Sequence, residues 1–183
     1  QGRMRQILDD LNIDYKEASG EAAFYGPKLD IQIKNVHGKE DTLITIQIDF
    51  QLAERFGMTY VDAEGQTKYP YVIHRTSIGC YERTLALLLE KYAGALPTWL
   101  MPEQVRVLPI SDRLIDDAKK VEEQLSRAGI RVSCDTRSEK VGYKIREAQL
   151  EKIPYMLVIG DKEVEEGTVS VRSRKEGDLG SMP

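Results

Sequence analysis

The stretch TLITIQIDF, residues 42–50, constrains the fold more than any other segment, because apolar and polar side chains alternate along it. Successive side chains of a β-strand point to opposite faces, so the alternation predicts a strand with one apolar and one polar face. KLDIQIKN (28–35) and YPYVIH (69–74) are also predicted strands, which together indicate an antiparallel sheet. On the middle strand the apolar face would carry Ile44, Ile46 and Ile48, and the polar face Thr45, Gln47 and Asp49.

The segment HRTSIGCYERTLALLLE begins at the end of the third strand and becomes apolar along its length. Its leucines predict a helix packed on the sheet, yet Arg83 lies in the first turns of that helix. A buried arginine must be paired, so one interpretation is a salt bridge to Glu82 or Glu90. The other is a guanidinium that faces a cleft and binds a flat or phosphorylated ligand. The small Gly79–Cys80 step favours this second interpretation, because small residues let a ligand approach the backbone.

The pattern changes after Pro97 and Pro102, which bracket a short connection. Beyond it strands alternate with helices, which predicts a small α/β domain with a largely parallel sheet after an α+β first part. RMRQILDDL near the start is predicted to be an amphipathic helix, and GDLGS near the end a turn. The predicted strands are 105–110, 130–135, 154–160 and 168–173, with one helix from Ser111 or Asp112 to Gly129 and another at 139–152.

Composition and charge narrow the class of protein. A formal net charge of −4 argues against a protein that coats nucleic acid through bulk charge, while a local RNA-binding patch stays open. The 183 residues contain no apolar run near the length of a membrane span and no signal peptide, so we expect a cytoplasmic protein without a membrane partner. The two cysteines lie far apart, which disfavours a disulfide framework or a zinc site of local cysteines.

The polar candidates of the first half each have a plain structural interpretation. A sheet face with Thr45 and Gln47 is most often simply solvated, and Lys28 follows an ordinary Gly-Pro turn. His74 at a strand end is more often structural than a metal ligand. Metal sites need three or four ligands, and His37, the only other histidine, lies in a polar loop. The residue pattern alone leaves these alternatives open.

Several motifs nevertheless resemble those of one family. HRTSIGCYERTLALLLE resembles motif 3 of class II aminoacyl-tRNA synthetases, the Gly-x-x-Glu-Arg helix whose arginine holds ATP. Together with AFYGPKLDI, TIQIDF, AGALPTWLMPEQV and VGYKIREAQLEKIPYMLVIGDKE, it resembles the threonyl-tRNA synthetase family. The resemblance covers essentially the whole chain, and we expect the chain to be a fragment. It implies the C-terminal part of a catalytic domain over residues 1–102 and an anticodon-binding domain over 103–183, with the final helix missing.

The resemblance implies a zinc ion and a threonine pocket. His74 matches one of three zinc ligands, and the other two, a cysteine and a histidine, would lie upstream of Gln1. The zinc would take threonine through its amino and hydroxyl groups, which separates threonine from isosteric valine. Tyr25 and Gln47 match residues that line the same threonine pocket.

The resemblance also implies a site for ATP with Mg²⁺. Arg83 would stack on adenine or lie beside the triphosphate, and with Lys28 it is the expected catalytic residue. Activation is an in-line attack of the threonine carboxylate on the α-phosphate, so catalysis rests on positioning and charge neutralisation. The implied ATP-binding residues are Lys28, Thr45, Gly79 and Arg83.

In the second half, Glu163 and Arg172 match residues that read anticodon bases of tRNA. Lys140, with Arg137 and Lys144 at helix-compatible spacing, would hold phosphates near the same edge. The alternative for these three basic residues is an ordinary solvated helix face.

Three positions depart from the family pattern. Thr42 stands where a glutamine that contacts adenine is usual, so that contact is not carried over. Cys80 replaces a usual serine, a near-isosteric change that weakens a hydrogen bond. Ser138 replaces a common asparagine, so one base contact would differ.

The function implied by the resemblance is ATP-dependent activation of threonine and its transfer to tRNA(Thr), by a homodimer formed through the full catalytic domain. The fragment alone is expected to be inactive. One alternative is a stand-alone RNA-binding module that uses only residues 104–183. Another is a non-catalytic paralog that regulates or interacts, although its five pocket residues argue against decay.

Overall fold

The computed structural model describes residues 2–183, which form two compact units. The first unit ends at Leu87 and the second runs from Leu88 to Pro183, so the division falls within a helix. The domain boundary expected from the sequence, between residues 102 and 103, stays a prediction. No helix within residues 2–183 is both long enough and apolar enough to cross a membrane.

The first unit is built on a small antiparallel sheet. Its helices are α1 (Gly2–Asp10), α2 (Leu52–Arg55) and the start of α3 (Tyr81–Tyr92). Its strands are β1 (Lys28–Lys34), β2 (Glu40–Asp49), β3 (Tyr60–Val61), β4 (Thr67–Lys68) and β5 (Val72–Arg75). The larger sheet has the order β1-β2-β5, and β3 and β4 form a separate hairpin. The three segments predicted from alternation overlap the three strands of the larger sheet.

Strand pairing brings one residue from each strand of the larger sheet into a single row. Lys28 of β1 lies opposite Gln47 of β2, and Gln47 lies opposite His74 of β5. Asp30 lies opposite Thr45 two positions along, on the same face. The predicted polar face of β2 is therefore confirmed, and the two neighbouring strands extend it.

The helix α3 does not pack as the sequence predicts. It contains no buried residue, and Leu85 is 51% exposed. Ile31 and Ile73, on the apolar face of the sheet, are exposed as well. Among residues 2–87 the buried apolar residues are Leu8 and Ala53. A three-stranded sheet with short helices is too small to enclose an apolar core. The leucines of α3 therefore remain at least partly exposed in the part of the chain that the structure describes.

The second unit is a mixed α/β layer with helices beside a five-stranded sheet. Its strands are β6 (Val105–Pro109), β7 (Val132–Cys134), β8 (Tyr155–Ile159), β9 (Val169–Ser173) and β10 (Gly177–Met182). Its helices are α4 (Ile115–Arg127), α5 (Val141–Leu150) and α6 (Asp161–Glu166), with 3₁₀ turns at Thr98–Leu100 and Asp112–Leu114. The order is β10-β9-β8-β6-β7, with β7, β6 and β8 parallel and β9 and β10 antiparallel. The largely parallel sheet that the sequence predicts is confirmed for β7, β6 and β8, and the antiparallel β9 and β10 make the sheet a mixed one.

Two elements of this unit were not predicted. The GDLGS run forms part of β10, so its interpretation as a turn is wrong. Gly177 and Gly180 have φ of +78° and +82°, and the register shifts between Asp178 and Gly180. Glycines at positive φ are typical of turns, which hid the strand. The helix α6 spans only 6 residues and is too short to show a helical period.

Two apolar clusters fill the second unit. One joins Ala118 of α4 to β6 and β8, and the other joins Ala148 of α5 to the same two strands. The neighbouring residues Val107 and Leu108 of β6 belong to different clusters. Because neighbouring side chains of a strand point to opposite faces, the clusters lie on opposite faces of the sheet. The sheet is therefore covered on both faces.

The connection that precedes β6 is held against this unit by two arginines. Arg131 donates from Nη2 to the carbonyl of Trp99 at 2.7 Å and from Nε to that of Met101 at 3.0 Å. Arg174 donates from Nη2 to the carbonyl of Leu96 at 2.8 Å. These bonds satisfy backbone carbonyls that have no strand partner and make the connection part of the second unit.

Candidate functional site

Three residues predicted to bind threonine lie together on the polar face of the first sheet. The Tyr25 hydroxyl donates to Oε1 of Gln47 at 2.7 Å. The ring centroids of Tyr25 and His74 are 6.0 Å apart, and His74 is the strand partner of Gln47. Because its carbonyl oxygen is held by Tyr25, Gln47 has its amide N–H groups available as donors for a ligand.

The path of the chain before β1 explains the position of Tyr25. Its carbonyl accepts a hydrogen bond from the backbone N–H of Phe50 at 2.9 Å, and the carbonyl of Pro27 accepts one from Ile48 at 3.1 Å. Gly26, between them, passes so close to β2 that a Cβ would clash with the carbonyl oxygen of Ile48. The glycine of the AFYGPK motif is therefore required for the chain to lie along β2.

Lys28 and Thr45, both predicted on the nucleotide side, are joined by a carboxylate that the sequence argument missed. Nζ of Lys28 donates to Oδ2 of Asp30 at 2.6 Å, and Oγ1 of Thr45 donates to Oδ1 of the same carboxylate at 2.8 Å. The hydrogen bond to Asp30 raises the pKa of Lys28, so the ammonium is charged at neutral pH. The period of two was the available signal, since it puts Asp30 on the face of Lys28.

His74 contacts a second carboxylate that the sequence placed on the polar face without a role. Nε2 of His74 lies 3.0 Å from Oδ2 of Asp49, whose side chain is fully buried. Burial by itself raises the pKa of Asp49. Hydrogen bonds from the backbone N–H of Leu52, from His74 and from the backbone N–H of Gln51 outweigh burial, and the pKa is lowered. Asp49 is therefore an anion beneath the imidazole.

His74 is placed so that it could supply one ligand to a metal ion. Its side chain is 42% exposed, and with Nε2 on Asp49 the other ring nitrogen is open to a ligand. Within residues 2–183 no group of three or more His, Cys, Asp or Glu residues could hold a metal ion. A zinc ion at His74 would thus need further ligands from elsewhere.

Arg83 and Gly79 lie beside β2, at the end away from His74. The Arg83 side chain is exposed and donates from Nη1 to the carbonyl of Thr42 at 3.3 Å. It makes no ion pair with any residue from 2 to 183, so the salt bridge to Glu82 or Glu90 that the sequence left open is not formed. The guanidinium thus remains available for a ligand.

The small Gly79–Cys80 step has a different physical reason from the one expected. Gly79 has φ +76°, and a Cβ there would clash with the carbonyl oxygen of Leu43. The glycine therefore clears the backbone of β2 rather than a ligand. Cys80 donates from Sγ to Glu82 at 3.0 Å, and this hydrogen bond lowers the pKa of Glu82.

The residues predicted to read anticodon bases are partly used within the second unit. Oε2 of Glu163 accepts the backbone N–H of Gly160 at 2.9 Å and so caps α6. Nη1 of Arg172 donates to Oδ2 of Asp178 at 3.1 Å, whereas Nε of Arg172 is buried with no partner among the described residues. Oε1 of Glu163 and Nη2 of Arg172 are therefore not bound by the described residues.

The three basic residues predicted to hold phosphates do not form one surface. Lys144 is only 2% exposed, and its Nζ donates to the carbonyls of Asp135 at 3.0 Å and Pro109 at 3.2 Å. Arg137 is paired with the carboxylates of Asp135 and Glu147. A stripe at helical spacing does not tell which side faces the sheet, and Lys144 faces it. Only Lys140, at the start of α5, is exposed and free of an ion pair within residues 2–183.

Comparison with known families assigns both units. The family model of the tRNA synthetase class II core domain (G, H, P, S and T) matches residues 3–92. The model of the anticodon binding domain matches residues 104–183. The two matches account for nearly the whole chain and define it as part of a class II aminoacyl-tRNA synthetase.

Similarity to individual proteins narrows the class. The threonine–tRNA ligase of Clostridium perfringens (strain SM101) is 68% identical over 183 residues, and that of Halalkalibacterium halodurans is 55% identical over 183 residues. The chain belongs to the threonine–tRNA ligase family. It covers 28% of the length of each of these relatives.

Two solved structures resemble the fold. The RNA binding domain of threonyl-tRNA synthetase from Cryptosporidium parvum has a TM-score of 0.89 at 41% identity, over 95% of this chain and 44% of that one. A protein described as threonyl-tRNA synthetase ThrRS-1 from Aeropyrum pernix has a TM-score of 0.72 at 34% identity, over 94% of this chain and 40% of that one.

Proposed function

We propose that the chain is part of a threonine–tRNA ligase, which activates threonine with ATP and transfers it to tRNA(Thr). The observation that carries this proposal is the row Lys28–Gln47–His74 across β1, β2 and β5. One end of the row has the residues suited to an amino acid, and the other end has a charged ammonium suited to a phosphate. A single polar sheet face therefore offers binding groups for both substrates.

The residues at the His74 end would hold threonine. Tyr25 fixes the carbonyl of Gln47, so the amide N–H groups of Gln47 can donate to the carboxylate or hydroxyl of the amino acid. A bound zinc ion, with His74 as one ligand, would supply a Lewis acid for the amino and hydroxyl groups. A pocket that binds the hydroxyl can reject valine strongly, because valine leaves the polar groups unpaired.

The residues at the Lys28 end would hold ATP with Mg²⁺. Asp30 keeps the Lys28 ammonium charged and orders the hydroxyl of Thr45 beside it. Arg83, with no ion pair inside residues 2–183, would add a planar guanidinium for the adenine ring or the triphosphate. The step itself is attack of the threonine carboxylate on the α-phosphate, and these residues contribute position and positive charge.

The second unit would bind the anticodon of the tRNA. Glu163 retains Oε1 as an acceptor after capping α6, and the part-exposed guanidinium of Arg172 uses Nη1 on Asp178 and retains Nη2 as a donor. Such groups can meet base edges, while the exposed Lys140 would contact a phosphate. We further propose a cytoplasmic, homodimeric enzyme, with the domain boundary of this chain between residues 102 and 103.

The test is threonine-dependent exchange of pyrophosphate into ATP by an enzyme that contains this chain in its full catalytic domain. Lys28→Ala and Arg83→Ala should each reduce the exchange at least 100-fold, on the order expected for a lost charge on the transferred phosphate. Lys34→Ala is the matched control, because Lys34 lies at the far end of β1. The 183-residue chain alone should show no exchange. Exchange that survives both site variants would contradict the proposal.

A second function is favoured by one observation, namely that the second unit has its own closed core. It could serve as a non-catalytic RNA-binding module or as part of a regulatory paralog. Two results together would favour this alternative. Residues 88–183 would bind tRNA(Thr) and lose that binding on Arg172→Ala, and the full protein that contains this chain would show no activation of threonine.

A further inference from the structure

The strand β2 contains one residue more than its pairing with β1 requires. Ile31 of β1 lies opposite Ile44. The next residue of β1, Gln32, lies opposite Thr42, so Leu43 has no partner on β1. An extra residue in one strand of an antiparallel pair is a β-bulge, and bulges often lie next to functional sites, where they redirect chemical groups. Leu43 is therefore the extra residue of a bulge in β2.

The bulge turns two successive carbonyls of β2 toward the same stretch of chain. Neighbouring carbonyls of a regular strand point to opposite edges of that strand. Here the carbonyl of Thr42 accepts a hydrogen bond from Nη1 of Arg83 at 3.3 Å. The carbonyl oxygen of Leu43, next along the strand, occupies the space that a Cβ on Gly79 would need. The pairing of β5 with β2 ends before this point, so residues 79–83 take the place of a neighbouring strand.

We propose that the bulge at Leu43 positions the guanidinium of Arg83 for ATP, an inference that rests on the ATP site of the proposed function. Arg83 is exposed, and a long exposed side chain samples many rotamers whose ordering costs free energy when a ligand binds. The Thr42 carbonyl takes one N–H donor of the guanidinium and leaves the others for the ligand. Leu43 is thus a positioning residue, because it acts on ATP only through Arg83.

Deletion of Leu43 removes the bulge and keeps the strand pairs on either side of it. Thr42 and Ile44 become neighbours, as their partners on β1 already are. Because the pairing is kept, each side chain stays on its own face of the sheet. In the regular strand the Thr42 carbonyl takes the place of the Leu43 carbonyl against Gly79, and the next carbonyl points toward β1. Arg83 then loses its acceptor.

The substitution Gly79→Ala is a second way to separate Arg83 from the bulge. An alanine there would clash with the carbonyl oxygen of Leu43 and so push residues 79–83 away from β2. Gly38→Ala is the matched control. The two glycines have nearly the same φ, +76° and +78°, but a Cβ on Gly38 meets no atom within 4 Å. The difference between the two variants therefore measures the contact with the bulge and not the strain of alanine at positive φ.

The experiment measures kcat and the KM values for ATP and threonine in pyrophosphate exchange, with an enzyme that contains this chain. Deletion of Leu43 and Gly79→Ala should each lower kcat/KM for ATP about 10- to 100-fold, as expected for a binding group misplaced by about 1 Å. The KM for threonine should stay unchanged in both variants. Gly38→Ala should leave all three constants unchanged.

Both changes are then repeated in the Arg83→Ala enzyme. Without the guanidinium the bulge has nothing to position, so neither change should cause a further loss. A further loss of similar size would overturn the inference, because the bulge would then act on the site by another route.

Two more outcomes decide between this inference and the proposed function. If deletion of Leu43 prevents folding, Gly79→Ala decides alone, and a kcat/KM for ATP equal to that of Gly38→Ala would overturn the inference. If Arg83→Ala leaves the exchange unchanged, the ATP site of the proposed function is refuted instead, and the inference is refuted with it.

Discussion

The two units of the chain bury different kinds of side chain. In the second unit the sheet is covered on both faces, and Val107, Leu108 and Met156 are completely enclosed. In the first unit the fully enclosed large side chain is a carboxylate, Asp49, while Leu85 of α3 is half exposed. The second unit is thus held together by its own apolar core, whereas the first is organised around a polar sheet face.

The units also use their cations differently. In the second unit Arg106 is mostly buried and bound by the carboxylates of Glu103 and Glu151, and Lys144 is bound by backbone carbonyls. In the first unit Arg83 forms no ion pair within residues 2–183. Arg106 and Lys144 are thus bound inside the second unit, whereas Arg83 of the first unit keeps a guanidinium outside any ion pair of the described residues. The helical spacing of Lys144 in the sequence could not show that this lysine is buried.

The largest expected effect is on independent folding. Residues 88–183 should fold alone, with a cooperative urea transition, because the two apolar clusters lie wholly within them. Residues 1–87 alone should bind a hydrophobic dye and show no cooperative transition, because their apolar surface is left open. Circular dichroism measures the unfolding transition of each piece, and dye fluorescence measures its exposed apolar surface. A cooperative transition in the shorter piece would break the contrast between the units.

A smaller difference is expected between the stability losses caused by replacing one leucine in each unit. Leu108→Ala should lower the free energy of unfolding of the second unit by about 2–5 kcal/mol, because the side chain is enclosed and a cavity remains. Leu85→Ala, at an exposed position of α3, should change the free energy by about 0.5 kcal/mol or less. Urea titration of the whole chain measures both. Equal costs would mean that α3 is buried after all.

Replacing the buried Lys144 is expected to cause a still smaller loss in the free energy of unfolding. Lys144→Met should cost about 1–3 kcal/mol, because it leaves the carbonyls of Pro109 and Asp135 without a buried donor. Lys140→Met is the matched control and should be near neutral for stability, since Lys140 is exposed. If Lys144→Met instead weakened tRNA binding at unchanged stability, the lysine would belong to the RNA surface.

The smallest effect is on the dependence of stability on pH. The hydrogen bond from Arg137 lowers the pKa of Asp135, against the opposing effect of burial. A carboxyl with a lowered pKa in the folded state adds stability above its unfolded pKa of about 4, and this stability is lost as the pH falls toward the folded value. Asp135→Asn should therefore flatten the acid side of the stability profile of residues 88–183. The exposed Asp116→Asn should leave the profile as it is.

Periodicity was sufficient for the sheet of the first unit and its polar face, because alternation along β1 and β2 is a local property. The resemblance to the synthetase family, and not periodicity, placed Tyr25, Gln47 and His74 as candidates, and only strand register shows that Gln47 and His74 are partners. The bond from Thr45 to Asp30 and the contact of His74 with Asp49 cross between strands and depend on that register as well, so a single sequence could not reveal them.

Other features depended on backbone geometry that composition disguises. β10 was hidden by glycines at positive φ, and α6 by its shortness. The wrong expectations for Lys144 and for the leucines of α3 share one cause. A helical repeat shows which side chains share one face of a helix. It does not show whether that face is buried, because burial depends on how the rest of the fold packs against it.

The central claim is that the row Lys28–Gln47–His74 recognises threonine and ATP together. The most direct test is the ratio of kcat/KM for threonine over valine in pyrophosphate exchange, measured with an enzyme that contains this chain. We predict a preference of roughly 10⁴ or more, as expected when a buried site binds the substrate hydroxyl. His74→Ala should abolish threonine activation, while His37→Ala, in an exposed turn, should preserve both rate and preference. Threonine preference that survives His74→Ala would contradict the account.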